Sequence, residues 1–240
     1  VLTLDTKVIS IMRVALFSDL HGNIVGLEAV LTRIDQLGGA DVMLALGDFL
    51  AVGPGSDDLL DMLISRHVRM IRGNWDEIFI DLQGYLAHLP ASAHPFVLKN
   101  YEWLMRNVSS AAQQLLATLP LTDQLEVAPG QRLFVCHAAP DDPWSRACGA
   151  DAPTATLRAL YGAVPAQVLA YGHYHAHHII HLDQQLLLNV ASVGMKRGAQ
   201  SAFTILDYID DRWNIQQYQV PYDAERLAQL THERGVPRPD

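Results

Sequence analysis

The sequence predicts an α/β domain, on three observations. The first third alternates strand-length apolar runs with helix-period segments, residues 77 to about 119 are rich in Ala and Leu, and the second half returns to short apolar runs between turn residues. Val14–Phe17 is too short for a helix and is closed by "SDLHGN", which predicts a buried strand. Leu27, Val30, Leu31, Ile34 and Leu37 then recur at helical spacing, and Gly38 and Gly39 end that helix. Val42–Leu46, closed by "GDF", is a second strand. Ser56 is placed to cap a helix with Asp57 and Asp58 in its first turn and Leu59, Leu60, Leu63 and Ile64 on its apolar face. Val68–Ile71, closed by "RGNWD", completes a β-α-β-α-β unit of parallel strands and right-handed crossovers.

The Ala- and Leu-rich stretch is broken by Pro90 and Pro95 and reads as a helical insertion over the sheet, with helices near 95–107 and 109–118. Residues 121–127 and 132–136 flank Pro129-Gly130 and predict a hairpin. A helix near 153–161 leads to a strand at 167–171, then to strands near 177–182, 185–190, 202–208 and 213–219 and a terminal helix at 223–233. The chain is expected to form a single domain over 12–240, preceded by an extension at 1–11.

Composition narrows the function. A net charge of −9 argues against a grip on nucleic acid polymers, which depends on Lys and Arg neutralising phosphates. No apolar run approaches the ~18 residues of a membrane span, and residues 1–11 lack the basic start and cleavage site of a signal peptide. Cys136 and Cys148 are too few for a disulfide framework, so a cytoplasmic setting is expected, with Cys136 a core residue.

The informative polar residues stand where the predicted strands stop. Strand ends deliver Asp19 and His21, Asp48, Asn74, His137, and His173 with His175. Ligands of open α/β sheets bind beyond the carboxyl ends of strands, so these seven side chains are expected to converge. Seven N and O donors exceed one tetrahedral zinc and suit two divalent ions sharing a carboxylate, roughly 3.5–4 Å apart. Such a centre attracts phosphate even on an acidic protein.

In order and spacing, "DLHGN", "GD", "GN", His137 and "GHYH" resemble the calcineurin-like metallophosphoesterase superfamily over about residues 13–194, and the bacterial small phosphoesterases and phosphodiesterases in particular. The resemblance implies two mixed β-sheets packed as a sandwich flanked by helices. It implies that Asp19, His21, Asp48 and His175 bind one metal and that Asp48, Asn74, His137 and His173 bind the other, with Asp48 bridging. The ions are expected among Mn, Fe, Ni, Co and Zn, and manganese is the assay metal of choice. The implied activity is hydrolysis of phosphodiester or nucleotide-type phosphoester or phosphoanhydride bonds of a small substrate by a metal-bound hydroxide.

Asp48, Asn74, Asp76 and His21 are the candidate catalytic residues, with Asp76 expected to orient a neighbour by hydrogen bonding. The main departure is "GNWDE": many members place a His, implied to protonate the leaving group, where Trp75 stands. Its loss favours substrates with good leaving groups, because general acid help is typically worth ~10²–10⁴-fold. "NVASVG" at 189–194 resembles the family's Asn-Pro-Gly-Ser turn without its Pro and Gly, which weakens any role for Asn189 or Ser192. "GDFLAVGPG" lacks the Arg-rich pattern of Ser/Thr protein phosphatases.

Simpler readings accompany these. Trp75 serves equally as pocket wall or packing residue. Arg72, Lys196 and Arg197 are candidates to hold phosphate but read more readily as surface charges. At most one of the adjacent His177 and His178 is expected to face the site. "HYHAHH" superficially resembles a metallo-β-lactamase signature, but His177 stands where Asp is required. The alternative from another class is a non-catalytic, degenerate metal-binding regulatory homologue, to which Trp75 lends support.

Overall fold

Two five-stranded mixed sheets pack face to face with helices outside, and the strand ends that carry the predicted ligands point the same way. The computed structural model describes residues 12–195 and 198–238; the expectations for residues 1–11 and for Lys196 and Arg197 fall outside these. In chain order the elements are β1 (Met12–Phe17), α1 (Ile24–Gln36), β2 (Val42–Ala45), α2 (Asp57–Ser65), β3 (Arg69–Met70), α3 (Leu82–Ala87), α4 (His94–Asn107), α5 (Ser110–Thr118), β4 (Thr122–Ala128), β5 (Gln131–Cys136), α6 (Thr154–Tyr161), β6 (Val168–Tyr171), β7 (His178–Leu182), β8 (Gln185–Asn189), β9 (Gln200–Ile209), β10 (Arg212–Pro221) and α7 (Ala224–Glu233). The sheets run β10-β9-β1-β2-β3 and β4-β5-β6-β8-β7. Strands β1, β2 and β3 are parallel, as are β5, β6 and β8.

Alternation along the strands builds three layers of core. Val14 and Leu16 of β1 face the second sheet with Leu44, Leu46 and Ile71, where they meet Leu133, Val135, Ala170 and Leu188. Ala15 and Phe17, one residue out of phase, face the helices and join Leu27, Leu59, Tyr85, Trp103 and Leu104. On β6, Val168 and Ala170 enter the inter-sheet core while Leu169 and Tyr171 pack with Leu157 and Tyr161 of α6. Strands buried on both faces explain the near-continuous apolar runs in the sequence.

The segment between β3 and β4 carries α3 to α5, one helix more than the sequence pattern indicates, and its apolar residues share the core beneath α1 and α2. Ser56 occupies the N-cap position of α2 without a side-chain capping bond, and Asp58 Oδ1 instead accepts from the Ser56 and Leu59 amides. Asn23 caps α1, its side chain accepting from the Gly26 amide at 2.8 Å. No helix among the described residues is long and apolar enough to cross a membrane.

Candidate metal centre

Each predicted ligand sits on a sharp turn just after a strand. Asp19, His21, Asp48, His173 and His175 all adopt left-handed backbone with φ between 45° and 66°. Such conformations cost roughly 1–2 kcal/mol each in non-glycine residues, so the surrounding structure must hold them. Glycines make room for the turns. A Cβ on Gly73 would collide with the amide and Oδ1 of Asp48, and one on Gly172 with Ser18 Oγ and Asp19 Oδ2. The Gly before Asn74 and the Gly before His173 are therefore parts of the site, required by close approach.

All seven predicted ligands meet in one cluster, with Asp19, His21, Asp48, Asn74 and His137 buried and His173 and His175 partly exposed. His175 Nε2 is 3.1 Å from Asp19 Oδ1 and 3.4 Å from His21 Nε2. Asp48 Oδ2 faces His21 Nε2 at 3.7 Å and His137 Nε2 at 3.4 Å. Asn74 Oδ1 lies 3.0 Å from both His137 Nε2 and His173 Nδ1. The atoms of Asp19, His21 and His175 lie within 4.8 Å of one another, as do those of Asp19, Asp48 and His137, so Asp19 belongs to both groups and Asp48 reaches each. Converging nitrogen and oxygen lone pairs repel unless a proton or cation lies among them. This donor set of imidazoles, carboxylates and an amide oxygen fits borderline divalent ions.

The electrostatics describe a pocket prepared for cations. Burial would raise the Asp48 carboxyl, but the charge and hydrogen bond of His137, with the charge of His21, draw it well below the ordinary carboxylate range. Burial would lower His137, yet Asp48 and Asp19 push its ring up to about 10. His173 goes the other way, to about 4, through burial and the charge of His137. His137 Nδ1 lies 2.6 Å from Leu46 O, which directs the ring's Nε2 at the cluster. Ligation requires a neutral imidazole, and His137 is held protonated below about 10 in the metal-free pocket. Metal uptake near neutral pH therefore expels a proton, and affinity rises with pH toward that value. Calorimetric heats measured in buffers of differing ionisation enthalpy will show about one proton released per ion at this position; buffer-independent heats would refute it.

Asp76 lies behind the ligands. Its Oδ2 accepts from the amides of Asp48 and Gly73, both at 2.8 Å, and its Oδ1 from Phe49 at 3.0 Å. Burial, then the charge of Asp48, raises its pKa to about 7. It is thus a positioning residue that locks the second and third ligand turns together, and it does not line the cavity. Asp76→Asn keeps the size but turns an NH₂ toward buried amide donors. Leaving such donors unsatisfied costs about 1–3 kcal/mol each, so the melting temperature falls and metal affinity drops ~10- to 100-fold, measured by calorimetry. Unchanged values would sink the assignment.

The weakened turn after β8 does hold the site. Asn189, fully buried, donates from Nδ2 to Gly172 O and accepts from the Ala191 amide. Ser192 Oγ donates to Asp19 O at 2.8 Å. Without Pro and Gly, Ala191 takes the left-handed conformation at φ 61°. Arg72 is directed away from the cavity, toward Glu77 at 3.6 Å and the carbonyls of Ala117 and Leu119. His178 lies 2.8 Å from the Tyr171 hydroxyl, and neither it nor His177 lines the cavity.

Above the cluster opens a cavity of 420 Å³, within the usual range for small-molecule sites. Asp48, Asn74, His173 and His175 form its floor, and Trp75, Leu89, Trp144, Arg146 and Tyr174 its walls. No motif or periodicity in the sequence marks Trp144 and Arg146, which lie on the irregular loop between β5 and α6.

The fold recurs in solved structures. A hypothetical protein from Pyrococcus horikoshii OT3 superposes with a TM-score of 0.81 at 17% identity, covering 95% of each chain. A metallophosphoesterase from Sphaerobacter thermophilus gives 0.74 at 20% identity, covering 95% of this chain and 96% of that one. An archaeal phosphodiesterase gives 0.50 at 11%, covering 87% of this chain and 100% of that one. Among curated proteins no sequence matches. Five strand ends gather the predicted ligands beneath one cavity, and residues 12–211 match the calcineurin-like phosphoesterase superfamily domain: the chain belongs to that superfamily.

Proposed function

We propose that this chain is a dinuclear metal-dependent phosphoesterase acting on phosphodiester or nucleotide-type phosphoester and phosphoanhydride bonds. The observation that carries the reading is the convergence of seven N and O donors in one cluster, four of whose residues, Asp48, Asn74, His173 and His175, form the floor of a cavity. Asp19, His21, Asp48 and His175 would hold one ion, and Asp48, Asn74, His137 and His173 the other. Two bound ions supply a water activated near neutral pH and positive charge for the phosphoryl oxygens. The chain's residues do the rest: Leu46 O fixes the ring of His137, Asp76 holds Asp48 and Gly73 in register, and Trp75 walls the cavity above the floor. The presence of an archaeal phosphodiesterase among the similar structures lends support to a diester.

Trp75, in place of an imidazole, favours one rival, a metal-binding regulator without turnover. Chelator-treated protein assayed on bis(p-nitrophenyl) phosphate separates the two. Turnover that appears with Mn²⁺ and disappears with EDTA is the expected result. Bound metal without hydrolysis of any monoester, diester or anhydride would leave the regulator.

A further inference from the structure

The walls of the cavity carry information that the metal ligands do not. Trp75 and Trp144 are half-buried, each packed by one side against the core while lining the cavity. Large aromatic surface held at the rim of a concave polar site is characteristic of a ligand with an apolar or planar part.

These rings are held in place by specific bonds. Trp144 Nε1 donates to Glu77 Oε2 at 2.7 Å, and its ring stacks on His88 at 4.5 Å and 8°. Tyr85 packs edge-on against both indoles, at 5.8 Å from Trp75 and 5.0 Å from Trp144. The Tyr174 hydroxyl donates to Ser145 O at 3.0 Å and accepts from the Cys148 amide at 2.7 Å. That pair of bonds brackets Arg146 and pins its loop to the "GHYH" turn. Arg146 itself makes no ion pair among the described residues, although it is the cation lining the cavity.

Resting on the phosphoesterase reading above, we infer that the substrate carries a nucleobase, seated against Trp75 and Trp144, while Arg146 contacts phosphoryl oxygens beyond the metal floor. A base fits this wall because its planar face stacks on aromatic rings without needing directed hydrogen bonds. Arg suits the anionic part because its planar fork of donors matches phosphate oxygens.

The test is binding to Mn²⁺-loaded protein, by isothermal titration, of adenosine 5′-monophosphate and of ribose 5-phosphate, which differ only in the base. Stacking of a base is worth a factor of roughly 5 to 150 in affinity, so the nucleotide is expected to bind at least ~5-fold tighter. Trp144→Leu brings the two affinities within about twofold by weakening the nucleotide alone, and Trp144→Phe keeps most of the difference. The retained ribose 5-phosphate affinity shows that each variant is folded. Arg146→Ala weakens both ligands by a common factor of roughly three- to tenfold. Equal affinities in the wild type would overturn the base site and leave the phosphoesterase reading standing. Failure of both ligands to bind the metal-loaded protein would overturn both readings, and an unchanged Arg146→Ala would remove that residue from the site.

Discussion

Asp48→Ala eliminates metal-dependent phosphoester hydrolysis, with kcat/KM on an aryl phosphodiester falling at least ~10³-fold. The size follows from position. Asp48 Oδ2 stands between His21 Nε2 at 3.7 Å and His137 Nε2 at 3.4 Å, the place from which one carboxylate serves both proposed ions. Loss of a single preorganised donor to a transition state commonly costs ~10²–10³-fold. Loss of a shared ligand removes the anion on which both ions depend, so the cost exceeds that range. The side chain is also the main negative charge raising His137, after burial, which lowers it. Its removal leaves several imidazoles facing one another with Asp19 as the remaining carboxylate among the predicted ligands. Metal analysis provides the second readout: wild type is expected to hold two ions per chain and the variant fewer. Activity retained within tenfold, at unchanged metal content, would be incompatible with a bridging role.

What made this site readable in sequence was the place where each polar residue stood. Asp19, Asp48 and His137 follow runs such as Val14–Phe17 and Leu133–Cys136, and parallel strands place such positions at one edge. The two phases of β1, Val14 and Leu16 against Ala15 and Phe17, belong to different cores. A run buried on both faces shows no alternation in sequence, so the layering itself emerges only in three dimensions. Cap chemistry was less legible. Ser56 and Asp58 both offer an oxygen near the start of α2, and the choice between them depends on how the loop 50–56 arrives. Asn189 and Ser192 stand without the Pro and Gly of the motif, yet bond to the ligand turns while Ala191 takes the left-handed conformation. Trp144 and Arg146 had no periodicity to expose them. They reach the cavity through tertiary bonds from Glu77 and Tyr174, which stand 67 residues before Trp144 and 29 residues after Ser145.

Trp75→His is expected to raise kcat/KM for alkyl phosphoesters by ~10²-fold while leaving aryl esters within about threefold, because general acid help is typically worth ~10²–10⁴-fold and aryl oxides depart without it. The position is suited to the task. The Trp75 amide donates to Asp48 Oδ1 at 2.8 Å, its ring lies 5.8 Å from that of His21, and its side chain lines the cavity. An imidazole there would line the same cavity, in reach of the departing oxygen of a substrate held on the proposed metal ligands. The gain carries a pH signature, since only the protonated ring donates. Alkyl ester turnover should decline as pH rises through the variant imidazole's pKa, which is ~6.5 in the absence of perturbation, whereas wild type lacks that limb. A cost accompanies the gain. The indole packs edge-on against Tyr85, and the smaller ring leaves part of that space unfilled, lowering stability by about 1–3 kcal/mol. The decisive measurement is the dependence of log kcat/KM on leaving-group pKa for both proteins. Wild type should show a steep negative slope and the variant a shallow one, because a proton given to the leaving oxygen removes most of its developing charge. Parallel slopes would mean that the missing imidazole at Trp75 does not set the preference for good leaving groups.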